Sequence, residues 1–100
     1  MDIEKEFNYL YKHWRSETMF MSNPRDIYEN IYFQNIIKLG LPALPYIVGK
    51  IQENGSDFTY MTIPEITGIP FDSVIPESIY GRIGLICETW VTELRKRNLI

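Results

Sequence analysis

The segment PESIYGRIGLICETWVTELRKR, residues 76–97, carries the clearest helical pattern in the chain. Its apolar side chains recur every three or four residues, which places them on one face of a helix. They are Ile79, Ile83, Ile86, Cys87, Trp90, Val91 and Leu94. Glu77 lies near the start and Arg95–Arg97 lie at the end, as the helix dipole favours. We therefore predict one amphipathic helix over residues 76–97.

Three earlier segments show the same spacing and are predicted as helices over 2–16, 24–39 and 42–53. Pro24 suits the first turn of the second helix, and Gly40 suits its end. A short fourth helix is predicted over 57–67, where Pro64 interrupts the pattern. An extended segment over 57–63 is the alternative, and residues 68–76 are predicted as a loop.

These segments predict an all-α fold, a compact bundle of four or five short helices in a single domain spanning residues 1–100. The net charge of −3, from 10 basic and 13 acidic residues, disfavours binding to a phosphate backbone. One cysteine excludes an internal disulfide. No signal peptide or membrane-spanning segment is evident, so we expect a soluble, cytoplasmic protein without a membrane partner.

The joint between the second and third helices has the sequence IIKLGLPALPYIV, residues 36–48. It resembles the turn of a HEAT-type repeat, in which one helix ends at Leu-Gly and an antiparallel helix follows. Together with WRSETMFMS, residues 14–22, it is also similar to a small family of bacterial all-helical proteins. This resemblance over about residues 14–53 implies a HEAT-like helical hairpin and attaches no activity.

Catalytic and metal-binding patterns are weak. His13 has no metal-ligand partners at suitable spacing, and Cys87 lies on an apolar stripe, where a thiol is unreactive. Neither the dinucleotide-binding glycine motif nor a P-loop occurs, so no cofactor is predicted. A catalytic carboxylate pair would have to come from the acids of the middle of the chain. These acids are Glu65, Asp72, Glu77 and Glu88, with Asp57 interpreted as a helix cap.

A polar group lies at the connector between the first two helices. Arg15, Thr18 and Ser22 would form a small site with Trp14 as an aromatic wall, or would instead satisfy backbone donors at the next helix start. We favour the structural role. Gly81 and Gly84, inside the predicted last helix, indicate a close helix–helix approach, within the fold or between two copies.

Three classes of function remain. A non-enzymatic protein-interaction module is favoured, because aromatic residues exceed what so small a core can bury, and Tyr, Trp and Arg dominate binding hot spots. Its partner would be another protein or a second copy, which the Phe20 connector would contact. The hypothesis predicts a contiguous exposed aromatic patch, with candidate residues Trp14, Arg15, Phe20, Tyr28, Tyr60 and Tyr80.

The alternative is DNA binding through a degenerate helix-turn-helix over residues 63–80. The segment 69–81 lacks the basic and amide side chains that read bases, so nucleic acid is the less favoured partner. A small enzyme with an unrecognised site is third, and it requires a pocket with convergent polar groups.

Overall fold

The computed structural model describes residues 2–100 and is all-helical over that range. Its α-helices are α1 (Ile3–Thr18), α2 (Pro24–Glu29), α3 (Ile31–Leu39), α4 (Leu44–Asn54), α5 (Thr62–Thr67), α6 (Phe71–Val74) and α7 (Ile83–Lys96). Short 3-10 helices cover Leu41–Ala43, Phe58–Met61 and Glu77–Ile79. The fold class is therefore confirmed, with more and shorter helices than the four or five predicted.

Helix α1 forms because its apolar residues share one face and Asp2 caps its start. The Asp2 carboxylate accepts a hydrogen bond from the Lys5 amide. Phe7, Leu10 and Trp14 are buried on this face. Helix α3 packs chiefly against α1.

The second predicted helix is in fact two helices. Asn30 separates α2 from α3, and its side chain accepts hydrogen bonds from the amides of Tyr32 and Phe33. This is the geometry of an N-cap, so a new helix starts where the apolar spacing predicted continuity. Helix α3 then ends at Gly40, as predicted.

The joint at Gly40 has the predicted boundaries, with α4 beginning after a proline-containing turn. However, α3 packs mainly on α1. The antiparallel pairing of α3 with α4, which the HEAT resemblance implies, is thus not confirmed.

The segment 57–67 is helical rather than extended. Pro64 does not break α5 because it lies in the first turn of that helix, where a proline costs no hydrogen bond. The predicted loop over 68–76 contains the short helix α6.

The last helix begins at Ile83, seven residues after the predicted start. Gly81 has φ +85°, a left-handed conformation that ends any helix running through it. Ile79 and Ile83 nevertheless both pack on the core, one from a 3-10 turn and one from α7. The apolar stripe therefore continues across a break in the helix.

Two clusters make up the interior. The larger joins α1, α3, α4, α5 and α7 around side chains such as Ile47, Ile63 and Trp90. The smaller consists of Trp14, Ile27 and Phe33, and it fixes α2 against α1 and α3. Within residues 2–100, every helix falls short of the length and apolar character that a membrane crossing requires.

Candidate functional site

A cavity of about 390 Å³ opens beside the connector between α1 and α2. The end of α1, the connector, α2, the segment after α4 and the start of α7 surround it. Its walls are formed by Trp14, Arg15, Thr18, Met19, Met21, Ile27, Ser56, Asp57, Phe58 and Ile83.

Trp14 forms a rigid wall of this cavity. Its indole nitrogen donates a hydrogen bond to the Ile27 carbonyl at 3.2 Å, and its ring lies 5.2 Å from that of Phe33. The Thr18 hydroxyl, one turn further along α1, donates to the Trp14 carbonyl at 2.7 Å. Since each polar atom of this pair has a partner within the fold, the wall is fixed before any ligand arrives.

Asp57 forms the floor, with its side chain fully buried. Oδ1 accepts from the Thr59 amide at 2.9 Å, the capping role predicted from sequence. Oδ2 accepts from Tyr11 Oη at 2.6 Å, Asn54 Nδ2 at 2.9 Å and Arg15 Nη1 at 3.3 Å. Four donors thus satisfy a buried charge, so this carboxylate serves as a structural anchor rather than as a free base.

Tyr11 is held as a neutral donor at this floor. Burial raises the pKa of its hydroxyl well above the ordinary value, and the hydrogen bond to Asp57 raises it further. Lys50 Nζ lies 5.0 Å from the centre of the Tyr11 ring. Arg15 Nη1 forms an ion pair with the Asp57 carboxylate at 3.3 Å.

Arg15 is the polar group of the cavity that a partner can reach. Its side chain is 52% exposed, its guanidinium lies 5.9 Å from the centre of the Tyr11 ring, and its one side-chain hydrogen bond within the described residues goes to Asp57. A guanidinium carries five N–H donors, so most remain free for an acceptor. The carboxylate beneath it fixes its position.

The rim of the cavity is apolar. Met19, Phe20 and Met21 are 65%, 92% and 45% exposed, three consecutive large side chains in water. They are ordered by a turn in which the Met21 amide donates to the Thr18 carbonyl at 3.0 Å. We call these three residues the Met19–Met21 connector. Adjacent exposed apolar side chains of this kind are a common feature of interaction surfaces.

The structure brings part of the predicted interaction surface together here. Trp14 and Arg15 line the cavity, and Phe20 lies at its rim between two lining methionines. Thr18 also lines it, whereas Ser22 does not. Thr18 bonds within its own helix, and Asn23 provides the cap of α2.

The predicted tyrosines lie elsewhere. Tyr28 packs on Phe33 with ring centres 5.8 Å apart, and Tyr60 packs on Phe71 at 6.4 Å. Tyr80 is exposed, and its hydroxyl donates to Asp72 at 2.6 Å. The predicted aromatic surface is therefore divided among several parts of the fold.

One aromatic cluster was not predicted from the sequence. The His13 ring lies 4.4 Å from that of Tyr9 and 5.0 Å from that of Tyr32, on α1 and α3. The spacing of Tyr9 and His13, four residues apart on a helix, is the signal that would have indicated their contact.

The other candidate residues have structural surroundings. Cys87 is buried, its thiol donates to the Asp57 carbonyl at 3.4 Å, and burial raises its pKa. Among residues 2–100, no three His, Cys, Asp or Glu side chains are grouped for a metal ion. Within 63–80, the described helices have at most six residues, and none has the length of a recognition helix.

Gly81 and Gly84 do not mark a close helix contact within the chain. Gly81 lies before α7, and a Cβ on Gly84 would meet nothing nearer than the Gly55 carbonyl oxygen, at 3.9 Å. A close approach within the fold is therefore not found at either glycine, and an approach between two copies stays a prediction.

Sequence reasoning missed the partners of Arg15. Tyr11 and Arg15 lie four residues apart on α1 and point to the same side, a spacing visible in the sequence. Asp57 is 42 residues away from Arg15, and no local pattern connects them. Comparison with protein-family models, curated proteins and solved structures finds no match to this chain.

Proposed function

We propose that this protein is a non-enzymatic protein-interaction module that binds its partner through the cavity and the Met19–Met21 connector. The observation that carries the proposal is Phe20, a phenyl side chain 92% exposed at a turn held by a backbone hydrogen bond. Leaving such a ring in water forgoes about 1.5–3 kcal/mol of burial free energy.

The cavity supplies the second half of a docking surface. Interfaces commonly combine a large apolar anchor with a pocket that excludes water around it. Here the anchor and the pocket adjoin, because Met19 and Met21 flank Phe20 and also line the cavity. The Trp14 wall is already fixed, so binding costs little ordering of that side chain.

Arg15 adds a directional contact. Its free N–H groups suit a carbonyl or carboxylate oxygen of the partner. Because Asp57 already accepts four hydrogen bonds, the polar floor supports binding and offers no unoccupied base for catalysis.

The test places a photoactivatable benzophenone amino acid at Phe20 and, as a control, at Tyr9. Tyr9 is 53% exposed on α1, outside the cavity lining. Irradiation in a lysate of the cells that make the protein should give one defined cross-linked protein from position 20 and a different pattern from position 9. Where the product contains a different protein, excess unlabelled wild type should remove it and Phe20→Ser should not. Where the product is a dimer of this chain, its mass identifies it and position 9 is the control.

Identical products from positions 20 and 9 would contradict the proposal, as would equal competition by wild type and Phe20→Ser for a product that contains a different protein. Tyr9→Ser serves as the matched competitor, because serine and tyrosine have similar helix propensities. It should compete as well as the wild type.

A further inference from the structure

We infer that the partner at this surface is a second copy of the same chain, with each Phe20 inserted into the cavity of the other copy. This inference rests on the proposed function and identifies the partner. An interface with two-fold symmetry requires a surface that is complementary to itself. Phe20, an exposed ring whose two chain neighbours line an open pocket, supplies both halves of such a surface.

The dimensions permit the insertion. An apolar cavity of about 150 Å³ already holds a benzene molecule. The cavity here measures about 390 Å³, and its walls include Ile27, Phe58 and Ile83. Phe20 does not line the cavity of its own chain within the described residues, so that space stays open to a ring from outside.

The charges also permit self-contact. Residues 18–24 carry no charged side chain, although the chain has a net charge of −3. Arg15 and Asp57, the charged residues of the cavity lining, form an ion pair with a 3.3 Å distance between Nη1 and Oδ2. Two copies can therefore approach through this face without opposing like charges, which cost heavily at interfaces.

The area indicates a weak dimer. Two phenyl rings contribute about 300–500 Å² of buried surface. Met19 and Met21 of both copies and the walls of both cavities add further buried surface. The total remains near the lower limit of about 1,200 Å² for stable complexes. We therefore expect reversible, concentration-dependent association with a dissociation constant of about 10–100 μM.

The experiment is analytical ultracentrifugation of the purified full chain from about 1 μM to about 1 mM, a range that spans weak association. Wild type should shift from monomer to dimer. Phe20→Ser removes both anchors and should weaken dimerisation by about 100-fold or more. Ser56→Trp fills the cavity from an exposed wall position and should weaken it comparably.

Mixing the two variants tests the reciprocal arrangement. In a heterodimer, the Phe20 ring of Ser56→Trp enters the open cavity of Phe20→Ser, and one complete contact remains. The mixture should therefore associate more strongly than either variant alone. Tyr9→Ser and Ser78→Trp, which alter exposed positions outside the cavity lining, should dimerise like the wild type.

A wild type that stays monomeric across the range overturns this inference, as does a dimer that Phe20→Ser leaves intact or a mixture with no restored association. Circular dichroism and melting curves establish that each variant is folded. A monomeric wild type that still gives a specific cross-link to another protein from position 20 would leave the proposed function standing. If the wild type neither dimerises nor gives a specific cross-link from position 20, both the dimer and the proposed interaction surface are contradicted.

Discussion

The hydroxyl of Tyr11 donates a 2.6 Å hydrogen bond to the buried carboxylate of Asp57, across 46 residues of sequence. This contact connects α1 to the segment that follows α4. Arg15 and Asn54 bind the same carboxylate oxygen. One side chain thus sets the position of the cavity floor, the accessible guanidinium and the 3-10 helix that starts at Phe58.

Asp57→Ala should lower the free energy of unfolding by about 3 kcal/mol, because it leaves several buried donors without an acceptor. Arg15→Gln should cost less than about 1 kcal/mol, since the Arg15 side chain is half exposed and water replaces the lost contact. Urea unfolding followed by circular dichroism measures both. Equal losses for the two variants would contradict this ranking.

Tyr11→Phe should lower the free energy of unfolding at neutral pH by about 1.5–3 kcal/mol, the range for a hydrogen bond to a charged group. The ring keeps its stacking against Phe7, whose centre lies 5.7 Å away, so the packing loss is small. Urea unfolding at pH 7 tests this. A change below about 0.5 kcal/mol would show that water compensates the Asp57 oxygen.

The same pair predicts a loss of stability in alkali. Burial, followed by the bond to Asp57, raises the pKa of Tyr11 in the folded chain, whereas the unfolded chain ionises near pH 10. The stabilisation is therefore complete below about pH 10 and is lost as the pH rises through the higher folded pKa. Ultraviolet titration of the wild type should show the ionisation of Tyr11 at a higher pH than an ordinary tyrosine. This ionisation should be missing in Tyr11→Phe. In Tyr11→Phe, the free energy of unfolding should still fall with rising pH, but less steeply. This remaining dependence is expected because the pKa values of Tyr28, Tyr60 and Tyr80 are also raised.

Apolar spacing predicted the helices of this fold well and their breaks poorly. Periodicity indicates which side chains face the core. Side chains can keep facing the core even where one helix ends and another begins. Ile79 and Ile83 both face the core although Gly81 separates their helices. Similarly, Asn30 caps α3 within an unbroken apolar pattern. The positive φ of Gly81 and the hydrogen bonds that the Asn30 side chain accepts are what interrupt the helix in these two cases.

The candidate site was predictable where its residues share one helix. Trp14, Arg15 and Thr18 lie within five positions of α1, so the spacing itself places them together. That Asp57 and Ile83 line the same cavity depends on how distant segments pack. A single sequence carries no local signal for such pairs.

Two neighbouring threonines allow a test of the buried hydroxyls. Thr59 Oγ1 is buried without a partner in the described structure, whereas Thr62 Oγ1 donates to the Thr59 carbonyl at 2.6 Å. Thr59→Val removes an unsatisfied polar atom and should stabilise the fold by about 0.5–1 kcal/mol. Thr62→Val breaks a bond and should destabilise it by about 1 kcal/mol. Thermal unfolding compares the melting temperatures of the two variants with that of the wild type. A destabilised Thr59→Val would indicate that water or another group binds that hydroxyl.

Gly49 inside α4 and Gly55 just after its end should respond oppositely to alanine. Gly49 lies inside the helix, and a Cβ there would meet nothing within 4 Å. Gly49→Ala should therefore stabilise the protein by about 0.5–1 kcal/mol, the difference in helix propensity. Gly55 ends the helix at φ +75°, where a side chain is strained. Gly55→Ala should destabilise by about 1–2 kcal/mol. Urea unfolding of both variants gives the comparison, and a stabilising Gly55→Ala would mean that α4 continues past Asn54 in solution.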